Sequence, residues 1–141
     1  MKYFLFAFLM LSIIVSCEEN KTARNLNQPV IDTVLFQNPT EILFKDTFLD
    51  LGTVKQGEKA PFVFVYTNKG KFPLLINNVL PGCGCTLANY SKNPIISGKT
   101  DSITGFFNSD GREGPYEKHV DVFCNTRQKV HKLIFKINVI K

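Results

Sequence analysis

Tryptophan is missing from the 141 residues, histidine and methionine occur twice each, and no apolar run beyond the first fifteen positions approaches the length of a membrane span. Each scarcity excludes something. The two histidines, His119 and His131, are expected to face solvent, one on the polar side of a strand and the other in a turn, so zinc's usual four ligands cannot be completed. There is no GxSxG elbow, no HExxH helix and no phosphate-cradling glycine loop, which removes the common hydrolase, metalloprotease and nucleotide-binding classes. Asp101, Asp110 and Glu113 sit at turns, where solvation and turn bonding account for them without a general-acid role. The 17 basic side chains outnumber the 12 acidic ones but are spread along the chain, so the clustered cations of a nucleic-acid groove are absent too.

The first line of sequence is a different matter. MKYFLFAFLMLSIIVSC has one basic residue, Lys2, then apolar residues almost without break to Val15, then Ser16 and Cys17. The run is shorter than the roughly 20 apolar residues a spanning helix needs, and no cationic stop-transfer cluster follows it. It reads as an export signal over residues 1–16. Ile14-Val15-Ser16-Cys17 resembles a bacterial lipobox, which implies that Cys17 becomes the mature N-terminus and carries acyl chains such as palmitate. Each buried methylene contributes about 0.8 kcal/mol, so several chains on one residue make a durable membrane anchor. Removal of the signal leaves roughly 125 residues, enough for one domain with a real core.

Residues 17–29 are polar and lack apolar periodicity, as expected of a flexible tether. Glu18-Glu19, directly after the acylated cysteine, resembles the acidic export signals of bacterial surface lipoproteins, and ordinary linker composition would look the same. An outer-membrane lipoprotein facing either the periplasm or the outside is therefore expected.

From residue 30 onward short apolar segments alternate with turn residues, and nothing sustains a period of 3.6. Strands are expected over 30–36, 41–45, 61–67, 73–79, 102–108, 116–124 and 132–140. In the last of these Leu133, Phe135, Ile137 and Val139 share one face. In the one before it Val120, Val122 and Cys124 do, with His119 and Asp121 opposite. Asn68-Lys69-Gly70, Ser109-Asp110-Gly111 and Gly114-Pro115 supply the turns. Seven short strands at this spacing predict an all-β, immunoglobulin-like β-sandwich over residues 30–141. Its core should be built from phenylalanine, of which there are 13, in place of the buried tryptophan of antibody domains.

Three stretches carry a family resemblance: PTEILFKDTFLDLGTVKQGEK, then FVFVYTNKGKFPLLINNVLPGCGCT, then ISGKTDSITGFFNSDGREGPYEKHVDVFCNT. Together they resemble the bacterial family known as domain of unknown function 1573, over roughly residues 39–141. The shared features are Gly-Thr-Val before a Gly-Glu turn, Thr-Asn-x-Gly, Pro-Leu-x-Ile, the GCGCT motif, and Phe-Asn-Ser before a glycine-rich turn. The resemblance implies an immunoglobulin-like sandwich on an envelope lipoprotein and implies no particular chemistry. The sequence departs from the family pattern at Leu51, where Phe is more frequent, and at Cys124, where Ser is usual.

With Cys17 acylated, Cys83, Cys85 and Cys124 remain, an odd number that cannot all pair within one chain. Three readings stand open. The α-carbons of residues i and i+2 in a flat strand are about 6.6 to 6.8 Å apart, the edge of disulfide reach, so Cys83 and Cys85 can join only where Gly82 and Gly84 let the backbone bend; such a bond would be strained and easily reduced. Alternatively Cys124 pairs with one of them, closing a loop of about 40 residues for roughly 3 to 4 kcal/mol, or it is a small buried apolar residue. Thirdly, the two thiolates bind Cu(I). The loop formed by Pro81, Gly82, Cys83, Gly84, Cys85 and Thr86 is the expected contact surface. The reading that results is a lipid-anchored, non-enzymatic binding or scaffolding module of the cell envelope. Its partners are the membrane and an unidentified envelope protein or ligand, with no nucleic acid. The alternative is a thiol redox or Cu(I)-handling protein working through Cys83 and Cys85.

Overall fold

Alternation of period two becomes eight strands in the computed structural model, which describes residues 38–141. The expected strand at 30–36, the tether at 17–29 and Cys17 lie outside the described residues. The strands are β1 (Ile42–Phe44), β2 (Phe48–Lys55), β3 (Lys59–Asn68), β4 (Ile76–Pro81), β5 (Thr86–Asn89), β6 (Thr100–Asn108), β7 (Gly114–Cys124) and β8 (Val130–Ile140). They form two four-stranded sheets, β1-β3-β6-β5 and β2-β8-β7-β4, in the two-layer arrangement of an immunoglobulin-like sandwich. Every pairing is antiparallel except β2 with β8, which is parallel.

The alternating faces do what their pattern requires. Leu133, Phe135, Ile137 and Val139 of β8 are buried, as are Val120, Val122 and Cys124 of β7 and Phe62, Phe64 and Tyr66 of β3. The rings interlock between the sheets: Phe62 stacks on Phe135 with centroids 5.1 Å apart, and Phe107 meets the same ring edge-on at 6.2 Å. Offset and edge contacts of this kind add to what area burial alone contributes. Cys124 is thus core filling, at the opposite end of β4 from the motif, since it pairs with Ile76 while Pro81 pairs with Val120.

Three strands differ from the expectation. The strand expected at 73–79 begins only at Ile76, because Pro73 and Leu75 are held by a side chain in place of a ladder: Leu75 N donates to Asn125 Oδ1 at 2.8 Å and Asn125 Nδ2 donates to Pro73 O at 2.9 Å. β2 and β5 were not expected at all. β2 carries a register shift between Asp50 and Thr53, at Gly52, whose φ of 71° lies in the left-handed region. β5 has four residues.

The sandwich has two distinct ends. At one, the chain enters at Thr40, which bridges Thr126, and the connections 69–75, 90–99 and 125–129 gather there. Asn68, fully buried, ties them: its Nδ2 donates to Phe72 O and Ile95 O, both at 2.8 Å, and its Oδ1 accepts from Thr40 Oγ1 at 2.9 Å and Gly70 N at 3.0 Å. A buried amide with every valence used is a stable clamp, whereas the same groups left unpaired would be costly. At the other end Ser109, also fully buried, shares its one hydroxyl hydrogen between Lys55 O at 2.9 Å and Glu58 O at 2.7 Å, and its N–H donates to Glu58 O, which fastens the β6–β7 turn to the β2–β3 turn.

Candidate functional site

The motif residues form the corner at which the chain leaves one sheet for the other. β4 belongs to the β2-β8-β7-β4 sheet and β5 to its partner, so residues 82–85 must cross the core within one turn. Gly82 N donates to His119 O at 2.9 Å, Thr86 N to Cys83 O at 3.3 Å, and Asn108 N to Cys85 O at 2.8 Å, which fastens the corner to strands of both sheets. The turn brings the α-carbons of Cys83 and Cys85 to 5.3 Å, well inside disulfide reach, and the two sulfurs are bonded. Cys85 is 9% exposed and counts among the core residues, while Cys83 is partly exposed and packs on that core. Cys83 Sγ lies 3.4 Å from Thr86 Oγ1.

Of the three thiol arrangements, the structure holds the Cys83–Cys85 bond and leaves Cys124 free and buried. Burial holds the Cys124 thiol above its ordinary pKa, against a smaller opposing effect of the hydrogen bond to Thr126. Such a thiol is a poor nucleophile.

The two motif glycines have different reasons. A Cβ at Gly82 would fall 2.5 Å from the His119 ring, so the imidazole lies directly over that α-carbon, whereas a Cβ at Gly84 would meet nothing. The second glycine is not demanded by contact. A histidine beside the thiol corner was not foreseen, because His119 and Gly82 are far apart in sequence and meet only through the β4–β7 pairing. His119 does point away from the core as expected, with Nε2 3.8 Å from Asp121 Oδ2. Asp121 Oδ1 is buried and has no hydrogen-bond partner among the described residues.

His131 does not stand in a turn. It is the second residue of β8, half-buried, with Nε2 2.9 Å from Thr126 Oγ1 and its ring 5.7 Å from that of Phe44. Desolvation holds its pKa below the ordinary value, opposed more weakly by a backbone hydrogen bond at Gln128. It lines an open cleft of about 440 Å³ at the end where the chain enters, between Lys71 and Phe72 on one side and Arg127 and Gln128 on the other. No group of three or more His, Cys, Asp or Glu side chains able to hold a metal ion occurs among the described residues.

What the corner can do chemically follows from burial. An attacking thiolate could reach Cys83 Sγ, but the leaving thiolate would then form on Cys85, inside apolar surroundings that disfavour charge. The geometry is that of a stiffened corner.

Residues 42–139 match the family described as protein of unknown function, DUF1573. The chain belongs to that family. No match was found among curated proteins. Among solved structures, the DUF1573 chain resembles a protein of unknown function from Porphyromonas gingivalis W83, with 17% identity and a TM-score of 0.63 over 71% of this chain and 47% of that one. It therefore spans about half the length of that relative. It also resembles PapD-like domain 7 of human CEP192, with 15% identity and a TM-score of 0.54 over 72% of this chain and 84% of that one. The Vibrio cholerae VesB protease has a similar part, with 14% identity and a TM-score of 0.54 over 79% of this chain and 35% of that one. At such identities the likeness establishes the fold, which is immunoglobulin-like and PapD-like.

Proposed function

We propose that this DUF1573 protein is a non-enzymatic binding module of the bacterial envelope, held at the outer membrane through acyl chains on Cys17, that recognises a partner protein along its β5 edge. The observation that carries the reading is an apolar row on the outer face of the β1-β3-β6-β5 sheet. Pro61, Phe106 and Leu87 stand in register across β3, β6 and β5, and Leu87 is 60% exposed, with Val63 50% exposed in the next row. The row ends at β5, an edge strand whose outer side pairs with no other strand among the described residues. Exposed apolar surface running to an open strand edge favours addition of a partner strand, with backbone groups giving affinity and the row giving selectivity. The disulfide corner immediately before β5 keeps that edge in place.

A photoreactive side chain at residue 87, compared with one at residue 132 on the other sheet, tests the reading in cells. One defined cross-linked protein from position 87, lost when Phe106 is changed to Asp, supports it. Equal labelling from both positions refutes it. Palmitate labelling of the wild-type chain and its loss in Cys17→Ser tests the anchor separately.

Thiol exchange or Cu(I) handling by Cys83 and Cys85 is the competing reading. The bond itself favours it, and the burial of Cys85 stands against it. Cu(I) would require the pair in its reduced form, because a disulfide offers no thiolate.

A further inference from the structure

The end of the sandwich where the chain enters carries exposed cations on three neighbouring connections, Lys69 and Lys71, Lys92 and Lys99, and Arg127 and Lys129; Lys92 is engaged with the hydroxyl and ring of Tyr90, which leaves five. The three ion pairs among the described residues, His119–Asp121, Lys136–Asp50 and Lys141–Glu113, involve none of them. Glu41 and Asp101 are the acidic residues nearby, so the end is strongly positive in balance. Among the cations stand two large apolar side chains, Phe72 at 45% and Ile96 at 59% exposure.

These features are fixed relative to one another. The carbonyls of Phe72 and Ile95 accept from the same Asn68 amide nitrogen, so the two connections are clamped side by side. The third is held through Thr40, whose N–H donates to Asn125 O at 3.0 Å and whose single hydroxyl hydrogen is shared between Asn68 Oδ1 and Phe72 O, at 2.9 and 2.8 Å. Between the 69–75 and 125–129 connections opens the cleft of about 440 Å³, flanked by Lys71 and Arg127 and lined also by Glu41 and His131. This volume is within the usual range for small-ligand sites.

We infer that this end docks onto an anionic lipid bilayer, with phosphate-bearing headgroups meeting the five cations, one of them in the Lys71–Arg127 cleft, and with Phe72 and Ile96 entering the headgroup boundary. Unpaired cations beside apolar tips complement a surface that is negative outside and apolar beneath. The described residues begin at this end, with Pro39 in the cleft lining. The inference deepens the anchored reading above and rests on it for the presence of a bilayer, but the surface is testable without the acyl chains. The opposite end, with the disulfide corner, would then project away from the membrane toward partners.

The test uses the mature chain with Cys17→Ser, so that no lipid is attached, and co-sedimentation with phosphatidylcholine vesicles with and without phosphatidylglycerol. Binding is expected only with phosphatidylglycerol, and should weaken as salt rises. At roughly fivefold in affinity per cation, Lys71→Glu with Arg127→Glu should weaken binding by more than an order of magnitude. Lys55→Glu with Lys59→Glu, at the opposite end beside the β2–β3 turn, should weaken it far less. Phe72→Ser with Ile96→Ser should leave only a weaker, fully salt-sensitive association. An unchanged unfolding midpoint in each variant secures the comparison. Equal binding to both vesicle types, no binding to either, equal losses from both charge pairs, or complete competition by soluble polyglutamate overturns the inference. Absence of palmitate labelling from the wild-type chain in cells would remove the anchor and leave this result standing.

Discussion

Gly82 and Gly84 sit two positions apart in one motif and differ in what surrounds them, which makes them a sharp test at the scale of single residues. The His119 ring occupies the space a Gly82 side chain would need, while the space beside Gly84 is open and its φ is not in the left-handed region. Gly82→Ala should therefore cost about 1 to 3 kcal/mol as overpacking, and Gly84→Ala should cost well under 1. In a His119→Ala background the Gly82→Ala cost should largely vanish, because the clash partner is gone. Urea unfolding of the four proteins reads the coupling, and an undiminished cost in the double variant sinks the account. Tyr66 makes the opposite case. It is 1% exposed, its hydroxyl has no partner among the described residues, and burial pushes the phenol pKa upward. Tyr66→Phe keeps the ring against Phe44 and removes an unpaired polar group, so stability should be unchanged or rise by up to about 1 kcal/mol. A clear loss would mean the hydroxyl has a partner after all.

β8 and β7 were legible as elements because each is 11 residues long and alternates on one buried face. β2 and β5 were not, for separate reasons. In β2 the shift at Gly52 breaks the period of two, and Asp50 and Gly52 together look like a turn; indeed Gly52 N donates to Asp50 Oδ1 at 3.0 Å. β5 is too short to show any period, and only its partner β6 defines it. The thiol motif was visible as chemistry but not as architecture, since nothing local says that Pro81 and Thr86 belong to different sheets. That placement sets the expectation for the bond. It spans one intervening residue, so the entropic contribution of closing the loop is small, about 1 to 2 kcal/mol. Reductant should lower the unfolding free energy by about that much and leave the β-sheet circular dichroism unchanged. Loss of the whole fold on reduction would instead make the corner a global staple, and no change at all would mean the corner is held by its backbone bonds alone.

At the scale of the whole molecule, the sandwich and its phenylalanine core followed from alternation and turn spacing, while the difference between its two ends did not, because each end is assembled from connections distant in sequence. His131 shows the cost of reading such an end locally. As the residue before a strand it looked solvent-facing, yet β1, the 125–129 connection and β8 together enclose it, through Phe44, Thr126 and the backbone at Gln128. The cations that flank the same cleft, Lys71 and Arg127, and the carboxylate of Glu41 complete its surroundings. With the folded pKa held below the ordinary 6.5 by desolvation, the unfolded chain takes up the proton first as pH falls. Stability from the neutral, bonded imidazole is thus fully present above about 6.5 and is lost progressively as pH drops toward and through the folded pKa. Asp50, its pKa lowered chiefly by the hydrogen bond from Gly52 N, changes stability in the same direction but only below its ordinary 3.8, so the two windows do not overlap at their upper edges. The expected result is a decline in unfolding midpoint beginning near pH 6.5 in the wild type. His131→Gln, which keeps a hydrogen-bonding group beside Thr126 but cannot titrate, should hold its midpoint level down to the carboxylate range. A variant that declines in parallel with the wild type would assign the acid sensitivity to groups other than this end of the sandwich.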